Sequence, residues 1–550
     1  MNLLPNSPAR ESWPRIWPGL IIAAVVLLAG GIRWRLLAVP LERDEGEYAY
    51  LGQLMLQGIP PYALAYSMKL PGTGFIYMLG MAVFGQTATG IHLTLLVVSS
   101  LTIVFVFLLG RKLAGDLAGA VAASAYGVMS ICPAVLGLAA HATHFVVLFA
   151  VSATWLMLLA KDRGHWSALF GSGFLFGLAF LMKQQGLCFG LFGAAHLGWE
   201  AQRRGGLLTV SFGRRICLFG CGLAMPLVLT CAVLAASGQY GRFWFWTVSY
   251  ARLYEGTLTL SQGLQENLWP HLQQTKGLSI GFWILALSGL AAAWRVKRLR
   301  PAMFFVLAYW AFSFLGTAAG LYFRGHYFIL LLPAFALWLG LAVAGWREVM
   351  PAKVLPGVFK SLPVFVFGAI LCGMLFYNRR VFFECPADQV GTQIYRQNPF
   401  AEAVAAGDLI QKHSPGTARV AVMGSEPEIY FYAHRRSATG YIYMYPLMES
   451  QPYAPVMQRE MVQEIEAAQP QFIVQVPYEF SWLPQPTSDR YLTDWADVYS
   501  RRFYDIIGFA GFDSAGKLAT WWGGDPTQAP DFVGPRLVIF QRRENLGGQK

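Results

Sequence analysis

The sequence predicts a polytopic α-helical membrane protein that carries a soluble α/β domain after about residue 378. Three observations predict it. Of 550 residues, 55% are hydrophobic and 15% aromatic, with a mean hydropathy of +0.43. That is too apolar for a soluble chain of this length. Apolar runs near the ~20 residues that a helix needs to cross a bilayer recur along the first two thirds. Short Lys and Arg clusters separate them, as polytopic proteins use to set orientation. Beyond residue 378 the long apolar runs stop and amphipathic patterns take over.

Spans are expected near 18–39, 88–110, 115–133, 140–160, 166–182, 184–200, 215–237, 277–294, 301–320, 326–345 and 358–377, about eleven in all. The first follows Arg10 and Arg15 without a small-residue cleavage pattern, and so reads as an uncleaved signal-anchor. With eleven spans, the clusters Arg111/Lys112, Lys161/Arg163, Arg203/Arg204 with Arg214/Arg215, "RVKRLR" at 295–300 and Arg347/Lys353 share one side. The positive-inside rule makes that side the cytoplasm. Arg33 and Arg35, at the outer end of the first span, break the rule and call for interfacial snorkelling or a partner.

This topology places the loop at 40–87 and everything after about 378 outside. Within the first loop, "LPGTGFIYMLGMAVFG" is too short to span and reads as an interfacial or re-entrant helix. A second outer loop, 238–276, holds "GRFWFWTVSYARLYEG", aromatic enough to lie along the bilayer interface. The domains are therefore a membrane part, 1–377, and an extracytoplasmic part, 378–550. In the latter, "NPFAEAVAAGDLIQKHS" and "PVMQREMVQEIEAAQP" read as helices and "ARVAVMG" and "QFIVQVP" as strands. "SEPEIYFYAHRR" reads as a helix with Ser425 as cap and Pro427 in its first turn. Alternation of strands and helices gives a small α/β domain. Its glycines form no GxGxxG pattern for a nucleotide, and the chain has no internal repeat.

Several function classes are excluded by composition. The net charge of +12 comes without a basic stripe interleaved with aromatics, which argues against nucleic acid. Of the seven cysteines, Cys188, Cys217, Cys221, Cys231 and Cys372 sit in apolar runs, with Cys132 and Cys385 nearer the outer side. None has metal spacing, and no disulfide framework is expected.

Chemistry is sought among polar groups on the outer side: Asp44, Glu45, Glu47, Lys69, His141, His144, Lys183, Arg324 and His326. Asp44 and Glu45, in "RDEGEYAY", form either a solvated helix start or a site for proton transfer. Lys69 is either a snorkelling lysine or an anion ligand. Lys183 interrupts two apolar runs, which marks either a functional site or a loop cap. His141 and His144, three apart, read as a hydrogen-bonded pair on one helical face or as metal ligands. Arg324 and His326 either anchor the interface or bind an anion. Carboxylates in one loop with cations from several other places suit an enzyme whose substrate is an anionic lipid.

"RDEGEYAY", followed by "MKLPGTGFIYMLGMAVFG", then "LAFLMKQQGL" and "RGHYFILLLPAFAL", resembles the GT-C glycosyltransferases over about residues 18–377. The likeness is to the bacterial relatives of protein O-mannosyltransferases and to lipid A aminoarabinose transferases. Where the family has paired prolines after its lysine, this chain has Leu70-Pro71; Glu47 stands where the lipid A enzymes have a basic residue. The resemblance implies a fold of eleven to thirteen spans and a polyprenyl-phosphate sugar donor. It also implies inverting transfer on the extracytoplasmic face to a glycan, lipid or protein acceptor. On this chain it makes Asp44 the general base and Glu45 a supporting acid. Lys69 becomes a ligand of the donor phosphate, with Lys183, Arg324 and His326 as further ones. No cofactor is required, although a divalent cation is compatible. The rivals are a lipid or glycan transporter, a membrane scaffold, and a GT-C enzyme that moves oligosaccharide from a lipid pyrophosphate.

Overall fold

The structure, a computed structural model, describes residues 16–163, 165–256, 258–350, 360–395 and 398–543. Arg10, Arg15, Lys353 and the first two residues of the expected span 358–377 lie outside them. The chain forms two compact units. One comprises the chain up to Leu36, His92–Ala232 and Tyr254–Cys385; the other comprises Leu37–Ile91, Val233–Leu253 and the chain from Pro386 onward.

The first unit is helical. Helices stand at each expected place: Trp17–Arg35, Ala88–Ala114, Asp116–Met129, Ala142–Arg163, Trp166–Met182 and Leu187–Arg204, then Val210–Ala236, Trp269–Arg295, Arg300–Ala318, Leu332–Val349 and Leu362–Tyr377. Among the described residues, six segments are long and apolar enough to cross a membrane, or seven if a pair bent by 93° at Gly277–Ser279 counts as one. Asp116–Met129 is shorter than its expected run: 14 residues rise only about 21 Å, and the chain turns at Pro133–Val135. Trp166–Met182 and Leu362–Tyr377 are likewise short apolar helices.

Gly325–Val349 is the most buried of the long segments, because small residues let two helices, Asp116–Met129 and Trp269–Arg295, close on it. Gly340 faces the Ala118 carbonyl, Gly345 packs on Ala293, and Ala342 on Gly289. A side chain at Gly345 would meet the Ala293 backbone at 2.7 Å.

Arg33 and Arg35 both have partners, which accounts for their place against the positive-inside pattern. Arg33 is buried and donates to the carbonyls of Ser130, 3.2 Å, and Gly137, 2.9 Å. Arg35 donates from Nε to Phe382 O, from Nη1 to Cys385 O and from Nη2 to Val381 O, at 2.6–2.8 Å. A guanidinium, with five donors in a fixed fork, can close off helix-end carbonyls that have no partner in lipid.

The second unit is built on a six-stranded sheet, ordered β2-β1-β3-β6-β4-β5. The strands are β1 Arg419–Met423, β2 Arg436–Ser437, β3 Phe472–Gln475, β4 Tyr504–Phe512, β5 Leu518–Trp522 and β6 Leu537–Arg542. β1 lies parallel to β2 and β3; β6 pairs antiparallel with β3 and β4, and β5 antiparallel with β4. Helices Phe400–Lys412 and Ala454–Ala468 accompany it. Ser425 does not cap a helix: Pro427 holds the cap position of Glu428–Ala433, and the Ser425 hydroxyl accepts Met444 N.

Two pieces of the preceding chain belong to this unit. Gly72–Phe84 packs against Arg43–Leu56, with Gly74 beside Leu51, and leaves Phe75, Leu79 and Val83 exposed four residues apart. One apolar face thus stays uncovered, the pattern of a helix lying in a membrane interface. The aromatic run after Tyr240, expected at the bilayer surface, is partly turned inward. Phe243 meets Tyr62, Trp246 stacks on Tyr66, and the Tyr250 hydroxyl donates to Glu449 at 2.5 Å, while Tyr240 and Trp244 stay exposed. The seven cysteines are free thiols.

Arg35→Ala removes three bonds from a charged donor, each worth about 1.5–3 kcal/mol. A melting scan of the purified protein in detergent should show its midpoint lowered by several degrees. Arg35→Lys should recover only part of that loss, since one ammonium cannot cover all three carbonyls.

Candidate active site

The acidic stretch of the first loop folds as a helix, Arg43–Leu56, whose start is closed by carboxylates. Glu42 is the N-cap: its side chain accepts Glu45 N at 3.0 Å, and Glu45 Oε2 accepts Glu42 N at 3.2 Å. This is a capping box with Glu in place of Ser or Thr, and the positive helix end favours it. Burial and the neighbouring Asp44 and Glu45 push the Glu42 carboxyl well above its ordinary value. The expected supporting acid, Glu45, is therefore buried and holds the helix start.

Asp44 and Glu47 are three apart and share a helix face. Lys69 enters between them, with Nζ 2.7 Å from Asp44 Oδ1 and 2.5 Å from Glu47 Oε2. The loop that brings it is tied down locally. Tyr62 Oη donates to Lys69 O at 2.8 Å, Lys69 N donates to Ser67 Oγ at 3.1 Å, and Ser67 Oγ donates to Glu47. The ammonium also lies 4.6 Å from the Tyr48 ring centre and 5.6 Å from that of Tyr443. Burial alone would lower the Lys69 pKa, yet Asp44 and Glu47 outweigh it and raise the value well above the ordinary one. The three groups differ in access: side-chain exposure is 27% for Asp44, 24% for Lys69 and 2% for Glu47. Glu47 is thus the buried anchor and Asp44 the accessible carboxylate. Tyr443 Oη donates to Asp44 Oδ1 at 3.2 Å.

The sheet holds this helix from the other side. β1 lies between two parallel neighbours, and the carboxyl ends of strands at such a switch point are the usual ligand crevice. Here protein fills that position. Arg43 Nε donates to Ser425 O at 2.6 Å and Nη2 to Glu426 Oε1 at 2.8 Å, and Ser481 Oγ donates to Glu426 Oε2 at 2.5 Å. Next to them Glu428 is buried against Gly46, close enough that any side chain at 46 would clash with it. Neither Glu428 oxygen has a hydrogen-bond partner among the described residues. Burial, then Glu426, raises its pKa well above 4.5.

The other expected residues lie in the helical unit. Lys183 ends Trp166–Met182 in extended backbone, and its Nζ is 4.0 Å from the Tyr327 ring centre. His326 is buried, in edge contact with Tyr327, and stacked on His141 with ring centres 4.2 Å apart. The expected His141–His144 pair is joined through the backbone, with His144 N donating to His141 O at 3.0 Å. His141 precedes the helix that contains His144, and the His144 Nε2 faces Gly137 O at 3.1 Å. Arg324 is exposed, with Nη2 3.3 Å from Tyr254 Oη and its guanidinium over Tyr322. Lys183 and His326 thus share Tyr327, whereas Arg324 attaches to the stacked Tyr254 and Tyr322.

Glu47 was among the candidates of the sequence but had no role there, and Tyr443, nearly 400 residues from Asp44, was signalled by no local pattern.

Comparison with solved structures finds this fold in glycosyltransferases of the GT-C class. ArnT from Cupriavidus metallidurans bound to undecaprenyl phosphate superposes with a TM-score of 0.60 at 14% identity, over 98% of this chain and 100% of that one. AglB, an oligosaccharyltransferase from Archaeoglobus fulgidus in complex with an inhibitory peptide and a dolichol-phosphate, gives 0.54 at 14% identity, over 94% and 75%. The chain is related to the aminoarabinose transferases and O-mannosyltransferases. Residues 68–233 match the dolichyl-phosphate-mannose-protein mannosyltransferase family, a stretch that includes Lys69 and Lys183 and stops short of Asp44. The undecaprenyl phosphate-alpha-4-amino-4-deoxy-L-arabinose arabinosyl transferase of Pseudomonas aeruginosa is 28% identical over 280 residues, and one from Pseudomonas fluorescens 24% over 275. Each match spans about half of this chain and about half of the relative, 48% of both.

Glu428→Gln gives a pH test with a defined sign. A carboxyl whose folded-state pKa is raised stabilises the fold below its unfolded value, and that contribution is lost as pH rises towards the folded value. Relative to the native protein, Glu428→Gln should therefore melt higher at pH 7–8, with the difference shrinking to nothing near pH 4. A constant difference across that range would mean that Glu428 does not titrate in the fold.

Proposed function

We propose that this protein transfers a sugar from a polyprenyl-phosphate-linked donor to an acceptor hydroxyl, with Asp44 as the general base. The observation that carries the reading is the trio of Asp44, Lys69 and Glu47: an accessible carboxylate and a protonated lysine fixed beside it by a buried second carboxylate. The relatives' names, which specify undecaprenyl phosphate as sugar carrier, support the donor class.

The scheme is one displacement. The acceptor oxygen forms a bond to the anomeric carbon as its proton passes to Asp44. The bond from that carbon to the lipid phosphate breaks on the opposite face, so the configuration inverts. The phosphate leaves with the electron pair and its negative charge, which Lys69 and other cations offset. Lys69 offsets only one of the two carboxylates that hold it, so cations beyond Lys69 are needed at the donor phosphate. Lys183 and His326, around Tyr327, are proposed as further ligands of the donor, and Arg324 as an exposed contact for it. The scheme needs neither nucleotide nor metal, and a divalent cation near the phosphate is compatible with it.

The membrane part is proposed to cross eleven times, with the shorter helices counted as spans. The proposed location is a bacterial cytoplasmic membrane with the sheet unit and Asp44 on the periplasmic face, supported by the basic clusters, which an eleven-span topology assigns to the cytoplasmic side. A transporter reading has no observation in its favour.

The test is an Asp44→Asn strain compared with native and deletion strains, measuring envelope glycans and lipid-linked sugars in parallel. Removing a general base costs about 10²–10⁴-fold. Asp44→Asn should insert and fold, fail to restore the missing glycan and accumulate the donor lipid. Restoration at the native rate would overturn the assignment.

A further inference from the structure

Away from the trio, the sheet unit contains an open cleft of about 570 Å³, within the range of small-ligand sites. Ala438, Thr439 and Gly440, where β2 ends, form one wall, and Ala467 and Ala468, the last residues of helix Ala454–Ala468, form another. Tyr66 from the first loop closes a third side, with Arg242 from the aromatic segment and Arg419 at the start of β1. The alanines leave the space open, while Gly440 lies under the Tyr66 ring, which any side chain at 440 would strike.

The polar groups in this cleft differ in how fully they are engaged. Glu464 is held on all sides: it accepts from Tyr66 Oη at 2.6 Å, Thr439 Oγ1 at 2.6 Å and Gly440 N at 2.9 Å. The guanidinium groups are not. Arg242 stands over the Tyr66 ring at 4.4 Å, and its contacts to Glu460 and Glu464 are long, 3.6 and 3.9 Å. The Arg419 guanidinium makes no hydrogen bond or ion pair among the described residues, although the residue is half-buried. Two guanidinium groups with donors to spare, a fixed carboxylate and a tyrosine form a surface that suits sugar hydroxyls together with one anionic group.

We propose that this cleft binds a phosphorylated saccharide, with Arg419 and Arg242 on the phosphate and the sugar lying over Ala438, just after β2, and the alanines of the helix end. Binding is read without turnover, so failure of the Asp44 assignment leaves this proposal untouched. The probes are glucose 1-phosphate, glucose and inorganic phosphate, followed by saturation-transfer NMR on the full-length protein in detergent. Glucose 1-phosphate should bind at least tenfold more tightly than either fragment. Arg419→Ala should weaken it about tenfold or more, and Ala467→Trp, at an exposed position that fills the cleft, should abolish it. A melting midpoint close to native in either variant shows that the fold is intact. Equal binding of glucose would overturn the role of the phosphate, and equal binding of inorganic phosphate that of the sugar. Unchanged affinity in both variants would place the ligand elsewhere.

Discussion

The arrangement around the first loop depends on how its carboxylates are neutralised. Glu42, Asp44, Glu45 and Glu47 stand within two helical turns, and Glu426 and Glu428 approach the same helix from the sheet. Most are buried, and a buried carboxylate without a partner costs several kcal/mol. Each has a different solution. Glu47 takes the Lys69 ammonium, Glu426 takes Arg43, and Glu42 and Glu45 accept each other's backbone amides. Glu428 is held towards its neutral form by burial. Asp44 is the member left accessible, and in the proposed scheme it is the one that reacts.

The same constraint explains why residues 37–91 gather with the sheet unit although they sit between two membrane helices in sequence. Arg43 reaches the carboxyl end of β1 and takes the place a ligand would occupy in an open α/β domain. The glycine at 46 is needed because a side chain there would strike Glu428. The sheet is thus a support for the acidic helix, and Tyr443 from it donates directly to Asp44. In the proposed scheme that contact gives the sheet unit a role in positioning Asp44.

Much of this was legible because local patterns carried it. Apolar runs located the helices, and the density of charge in "RDEGEYAY" marked the candidate site. Phe400–Lys412, Ala454–Ala468, β1 and β3 follow the expected periodicities. What was not legible depends on tertiary pairing. The antiparallel strands β4, β5 and β6 alternate too weakly to be read alone, and the aromatic run after Tyr240 looks interfacial until Tyr62 and Tyr66 appear beneath it. His141 looked like the partner of His144 because they are near in sequence, whereas its stacking partner, His326, is far along the chain. Arg33 and Arg35 seemed misplaced because their carbonyl partners are not visible in a charge pattern.

The most direct test of this account is a thermal-stability cycle on Lys69→Met, Glu47→Gln and the double variant. If Glu47 is buried on the strength of its pairing with Lys69, removing the lysine alone strands a buried charge, and removing both does not. The account predicts that the double variant melts at a higher temperature than Lys69→Met alone. A double variant that loses the sum of the two single effects would contradict it.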